Sequence, residues 1–188
     1  MRSGSTDDAV ALVQKLTEVG MVLVAIDGHS AAGKSTLART LQRRLEAQVV
    51  AGDDFYRVMD EGKRFSLDAD AGYRRYYDWE RLGVEVLKPL SSQRRARYRV
   101  YDWTTGALGD SKEVAPHGVV LVEGVYSARP ELRRYYGACL LVETPQRVRE
   151  ARQKRRADAS EAWLKRWDAA ERYYLDRYRY ADLVVQTE

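Results

Sequence analysis

Met21 to Ile26 is an unbroken apolar run that ends on Asp27, and the chain passes straight from it into Gly28-His29-Ser30-Ala31-Ala32-Gly33-Lys34-Ser35. No other stretch narrows the choice of fold as much. An apolar run of strand length without alternation marks a strand buried on both faces, as in a parallel sheet. The two glycines allow backbone dihedrals that turn N–H groups inward, making a nest for phosphate oxygens. Ser35 to Leu45 sets Leu37, Leu41 and Leu45 among basic residues and reads as a helix, whose positive N-terminal end adds to the nest. Lys34 supplies a point charge for β- and γ-phosphates, and the Ser35 hydroxyl can ligate Mg²⁺. The pattern is that of a complete Walker A loop. Gly28, His29, Ser30, Ala31, Ala32, Gly33, Lys34, Ser35 and Thr36 are therefore the expected ATP contacts, with His29 a spacer of which only the backbone is needed.

The same strand–helix rhythm recurs. Gln48 to Ala51, Val119 to Val122, Ala138 to Val142 and Leu183 to Val185 read as further strands, with helical patterns between most of them. Residues 7–19 carry Val10, Leu12, Val13, Leu16 and Val19 near one face and read as an amphipathic helix. The fold expected is α/β: three layers, α/β/α, around a mainly parallel sheet of about five strands. Residues 55–117 break the rhythm, and there a substrate-binding insertion is expected. Within it Trp79 to Leu87 looks helical, and Arg97 to Trp103 alternates and can open a hairpin. Ser160 to Tyr178 places Trp163, Trp167, Ala170, Tyr174 and Tyr178 at helical spacing, which reads as core packing.

The chain has 188 residues, so one domain over 1–188 is the expectation. The single cysteine, Cys139, lies in an apolar run and excludes a disulfide framework. It suits a buried structural role in a reducing, cytoplasmic setting. A net charge of +4 is mild and fits a polyanionic small ligand. The first nine residues do not form a signal peptide, and no apolar run is long enough to span a membrane. Neither a membrane nor nucleic acid is an expected partner.

A Walker A loop alone does not choose between switches, motors and kinases. The choice rests on acids at strand ends. In a parallel sheet, function gathers at the carboxyl ends of strands. Asp53 falls just past Gln48 to Ala51, beside the expected loop. A carboxylate there can take the proton of an attacking hydroxyl or hold Mg²⁺ through water. Of Asp53 and Asp54, one is expected to cap a helix and the other to function, and Asp53 is the expected base. Glu123 ends Val119 to Val122 and is assigned to Mg²⁺ or to positioning the acceptor. Residues 147–156 carry six basic side chains and one Glu, with Arg149, Arg152 and Arg156 on one helical face. Arginines from a lid over roughly 147–160 would stabilise a transferring phosphoryl group, and Arg152 and Arg156 are the candidates.

The ordered set Asp53-Asp54-Phe55-Tyr56, Tyr77-Asp78-Trp79-Glu80, Tyr101-Asp102-Trp103, Val122-Glu123-Gly124 and Ala181-Asp182-Leu183-Val184-Val185 resembles the uridine kinase family and the related nicotinamide riboside kinases. The resemblance runs through most of the chain. It implies an ATP- and Mg²⁺-dependent kinase acting on a small hydroxyl-bearing acceptor, nucleoside-like, through a ribose 5′-OH. It also implies Asp53 as catalytic base, Asp78 on the ribose diol, and Tyr56, Tyr101, Asp102 and Glu123 around the acceptor. Since such families include assemblies, a homo-oligomer is left open. One departure is plain. The family's base-contacting His is missing, since the stretch reads Thr104-Thr105-Gly106 and the only histidines are His29 and His117. Two rivals follow: a kinase of another acceptor, such as nicotinamide riboside, a pantothenate-like molecule or a sugar, and a non-catalytic nucleotide- or RNA-binding module.

Overall fold

The computed structural model describes residues 1–156 and 159–187. Its elements are, in chain order, β1 (Arg2–Gly4), α1 (Thr6–Thr17), β2 (Val22–Asp27), α2 (Lys34–Leu45), β3 (Gln48–Ala51), α3 (Glu61–Phe65), α4 (Ala69–Arg75), α5 (Trp79–Leu82), α6 (Lys88–Ser91), β4 (Ala96–Asp102), β5 (Ala107–Val114), β6 (Val119–Glu123), β7 (Ala138–Glu143), α7 (Gln146–Arg156), α8 (Glu161–Tyr178) and β8 (Leu183–Gln186). A π-helical turn, Gly83–Leu87, joins α5 to α6, and a 3₁₀ turn, Gly52–Phe55, follows β3.

Six strands form one sheet in the order β1-β8-β7-β2-β6-β3, and every pairing in it is parallel. All six residues of β2 are buried, as its uninterrupted apolar run demands of a central strand. The expected five strands are present, and a sixth, β1, joins them at the edge. Arg-Ser-Gly has no apolar pattern to announce a strand. It becomes one because its backbone completes the ladder of β8, with Arg2 opposite Leu183 and Gly4 opposite Val185.

Alternate residues of the sheet serve different cores. Val22, Val24, Ile26, Val119 and Leu121 face α1 and α2, packing on Val10, Val13, Leu37 and Leu41. Leu23, Val50, Val120 and Val122 face the other way, onto Leu82, Val86, Leu87 and Leu90 and the hairpin residues Tyr98 and Val114. These layers make the α/β/α arrangement. Residues 55–117 supply α3 to α6 and the antiparallel β4–β5 hairpin, which has a register shift between Arg99 and Tyr101. Helix α8 starts at a Ser160 cap and brings Leu175 onto Leu141, Ala181 and Val184. Among the described residues no helix is long and apolar enough to cross a membrane.

Candidate active site

Three strands deliver their carboxyl ends to one place. Strand β2 ends in Asp27 and the loop, β6 in Glu123, and β3 in the 3₁₀ turn that carries Asp53. Two glycine sites make this convergence feasible. Gly28 has φ +139°, and a Cβ on it would lie 2.4 Å from the Val142 carbonyl oxygen. Gly52 and Gly124 touch backbone to backbone, so that a Cβ on Gly124 would lie 2.9 Å from the Cα of Gly52. That contact draws Asp53 and Glu123, each next to one of these glycines, toward the same mouth.

The loop is held from outside by its carbonyls. Arg152 Nη1 donates to Ala31 O at 3.0 Å, and Thr144 and Thr187 both donate to Ala32 O, at 2.7 and 2.9 Å. In a trans peptide the next N–H points the opposite way, so the grip on Ala32 O turns the Gly33 N–H inward. Helix α2 starts directly after Gly33 and aims its N-terminus at the same space. Lys34 is buried, and its ammonium donates to Gly28 O at 3.0 Å and His29 O at 2.9 Å.

A cavity of ≈ 520 Å³ opens in front of this loop. Ser30, Ala31, Gly33, Lys34, Ser35 and Thr36 line one end. Asp53 and Glu123 form its acidic side, and Tyr76, Tyr77, Trp103 and Trp167 its aromatic side. The Tyr77 hydroxyl donates to Asp53 Oδ1 at 3.1 Å, which orients the carboxylate and leaves Oδ2 for a further partner. Burial pushes the Tyr77 hydroxyl well above its ordinary pKa, so it stays a donor. Ser35 Oγ donates to Glu123 Oε1 at 3.1 Å. Neighbouring ligands of an octahedral ion with bonds of ~2.1 Å lie ~3 Å apart, and Mg²⁺ takes few protein oxygens beside phosphate and water. This hydroxyl–carboxylate pair therefore fits Mg²⁺.

The expected residues divide. Lys34, Ser35, Asp53 and Glu123 come together around the cavity, while Tyr56, Asp78, Tyr101 and Asp102 are not among the residues that line it. Asp78 caps α5, accepting from the Arg81 N–H at 3.2 Å and pairing with Arg57 at 3.3 Å. Tyr56 is buried under Trp103, stacked at 4.6 Å, with Tyr101 edge-on to both rings. Asp102 closes the hairpin turn through the Thr104 N–H and the Thr105 hydroxyl. Of that triplet, Trp103 is the one that reaches the cavity. Asp54 is not a helix cap. Its carboxylate holds Tyr98 OH and Lys112, which ties the hairpin to the end of β3. In α7, Arg149 is buried against Asp168 and Arg152 reaches the loop. The side chain of Arg156 and residues 157–158 of the expected lid lie outside the described residues.

Two acids that the sequence reading passed over belong to the site. Asp27 is buried and accepts from the N–H groups of Gly28, Tyr126 and Ala128 and from Tyr174 OH. Burial pushes its carboxyl above the usual range against these bonds. Glu171, on α8, is 3% exposed and accepts from Ser30 N–H, Ser30 Oγ and His29 Nδ1. Burial opposes its charge, yet the bonds from His29 and Ser30 and the Lys34 ammonium hold its carboxyl below the usual range. The signal was available: Glu171 sits on the aromatic stripe of the helix, four residues after Trp167 and three before Tyr174.

Comparison with known proteins bears on the fold. The sequence pattern of the cytidylate kinase family matches residues 24–62, from β2 through the loop to just past Asp53. No curated protein sequence matches. A Bacillus stearothermophilus protein, provisionally described as a uridine kinase, superimposes with a TM-score of 0.73 at 22% identity, covering 96% of both chains. A provisional fructose transport system kinase from Silicibacter sp. TM1040 gives 0.72 at 24%, covering 96% of this chain and 98% of that one. The chain has the P-loop kinase fold. A third P-loop kinase fold, the provisionally assigned and circularly permuted YFH7 of Saccharomyces cerevisiae, gives 0.63 at 12% identity and covers 97% of each chain.

Proposed function

We propose that the protein is an ATP-dependent kinase that transfers the γ-phosphoryl group to a hydroxyl of a small, ring-bearing acceptor, a nucleoside first among them. The observation that carries this reading is the convergence on one cavity of the phosphate loop, the Ser35–Glu123 pair and the Tyr77-oriented Asp53. Asp53 Oδ2 accepts the proton of the acceptor hydroxyl as its oxygen bonds to the γ-phosphorus. The bond from that phosphorus to the β–γ bridging oxygen breaks, ADP leaves, and the proton passes from Asp53 to solvent. Lys34 exchanges its two loop carbonyls for phosphate oxygens, and Arg152, which donates to Ala31 O, neutralises charge from the loop's other side. Mg²⁺, when bound, supplies neutralisation of the β- and γ-phosphate charge. Ser35 and Glu123 would hold it. Trp103, Trp167 and Tyr77 supply the aromatic lining of the cavity for a ring-bearing acceptor.

A second reading, a kinase of a non-nucleoside acceptor such as a sugar, draws on the placement of Asp78. Capping α5 and paired to Arg57, it offers no carboxylate to a ribose diol in the cavity. The deciding experiment is ADP formation from Mg·ATP with uridine, cytidine, nicotinamide riboside, pantothenate, fructose and other sugars. Turnover with a nucleoside supports the first reading. Turnover with a sugar alone transfers support to the second. Absence of turnover with every acceptor, despite ATP binding, would count against both.

A further inference from the structure

We infer that Glu171 is a positioning residue that sets the orientation of Lys34 through a single peptide plane of the phosphate loop. The inference rests on the kinase reading and deepens it. A buried carboxylate is costly, and beside a phosphate cradle its charge also repels the ligand. Its three donors all belong to loop residues, His29 and Ser30. The consequential one is the Ser30 N–H, held at 2.9 Å. The His29–Ser30 peptide is trans, so holding that N–H points the His29 carbonyl the other way. The Lys34 ammonium rests on that carbonyl at 2.9 Å. Glu171 thereby fixes the acceptor on which Lys34 waits.

Helix α8 gives the clamp its rigidity. One turn further along, Tyr174 OH donates to Asp27 Oδ2 at 2.7 Å, and Asp27 Oδ1 accepts the Gly28 N–H at 2.7 Å. The loop's first residues are thus gripped at both ends by one helix face. The face continues to Trp167 in the wall of the cavity. A loop ordered before the ligand arrives binds it with less loss of conformational freedom.

The test is a double-mutant cycle between Glu171 and Lys34, read as the Kd for Mg·ATP. Tryptophan fluorescence reports binding, because Trp103 and Trp167 line the cavity. E171Q keeps the size of the side chain but replaces one acceptor oxygen by a donor. It should raise Kd about tenfold, the scale of one lost hydrogen bond. In a K34M background the same change should have an effect of less than about twofold, because its route to the ligand is gone. If K34M binds too weakly to titrate, the Kd values of the single Glu171 variants decide, and an unchanged value overturns the inference. E171D keeps the charge but withdraws it by one methylene, should give the same pattern, and stands in if E171Q fails to fold. Equal factors in both backgrounds would reduce Glu171 to general support of the fold and overturn the inference, as would an unchanged Kd in the single variants. A wild-type protein that fails to bind Mg·ATP would instead remove the kinase reading itself.

Discussion

Substituting Gly124 by Ala tests whether the backbone contact between β3 and β6 sets the spacing of the acidic side of the cavity. The new Cβ would sit 2.9 Å from Gly52 Cα and 3.3 Å from Gly52 N, against an ordinary contact that starts at 3.4 Å. Both obstacles are backbone, so no side chain can rotate aside, and the strand ends must part by about 0.5 Å or more. The adjacent pair Ala51–Glu123 is the last rung of the β3–β6 ladder, so the strain falls where Asp53 and Glu123 begin. Overpacking of this kind costs about 1–3 kcal/mol. For a chain of this length that lowers Tm by roughly 2–12 °C. A 1 Å misplacement can cost 10²-fold in rate, so half of that predicts a loss of about tenfold in kcat/KM. Thermal unfolding followed by circular dichroism reads the first effect, and initial rates of ADP formation with the best acceptor read the second. Gly52→Ala meets the same contact from the other side, at 3.0 Å, and should behave alike. A Gly124→Ala protein with Tm within about 1 °C of wild type and unchanged rates would refute the argument.

Asp53→Asn should lower kcat by about 10²- to 10⁴-fold, the usual share of a general base, and leave Mg·ATP affinity intact. Equal losses in both would remove Asp53 as base. Tyr174→Phe takes one of four donors from buried Asp27 and should cost about 1.5–3 kcal/mol in urea unfolding. Burial already holds the Asp27 carboxyl high, so its ionisation draws on stability as pH rises. The deficit of the variant should therefore grow as pH rises above the ordinary carboxylate range, and a deficit that does not depend on pH would contradict the account. Burial pushes the Cys139 thiol up to about 12. Native protein should resist thiol reagents at pH 8, and denaturant should release one reactive thiol.

What the sequence disclosed depended on whether side chains or backbone carry the information. Strands β2, β6 and β7 are legible because burial on both faces forces every position to be apolar. The loop is legible because its glycines and Lys34 have no substitutes. Strand β1 is not, since three residues without apolar character become a strand only through the ladder of β8. Helices α3 and α4 escaped for a related reason. Each is short and begins on an Asp cap, Asp60 or Asp68, and neither has room for a full apolar stripe. The acid at the end of β3 was readable from its place after the strand. The cavity wall was not, because Tyr101 and Trp103 alternate on the hairpin and only the closed turn decides which ring reaches the cavity. Glu171 was visible as an acid on an aromatic stripe, but its partner loop lies 142 positions earlier, a separation that no local pattern spans.

That separation has a consequence for the protein's synthesis. A ribosome adds roughly 5–20 residues per second, so His29 precedes Glu171 by roughly 7–30 s. Throughout that interval the glycine loop exists without the helix that grips it, although β6 and β7, the partners of β2, have been made before α8. A nascent chain halted before α8 carries the whole nucleotide-binding motif as sequence but has no Glu171 or Tyr174 to shape it. On the kinase reading, competence for ATP therefore waits for α8, 142 positions after the loop residue that Glu171 grips.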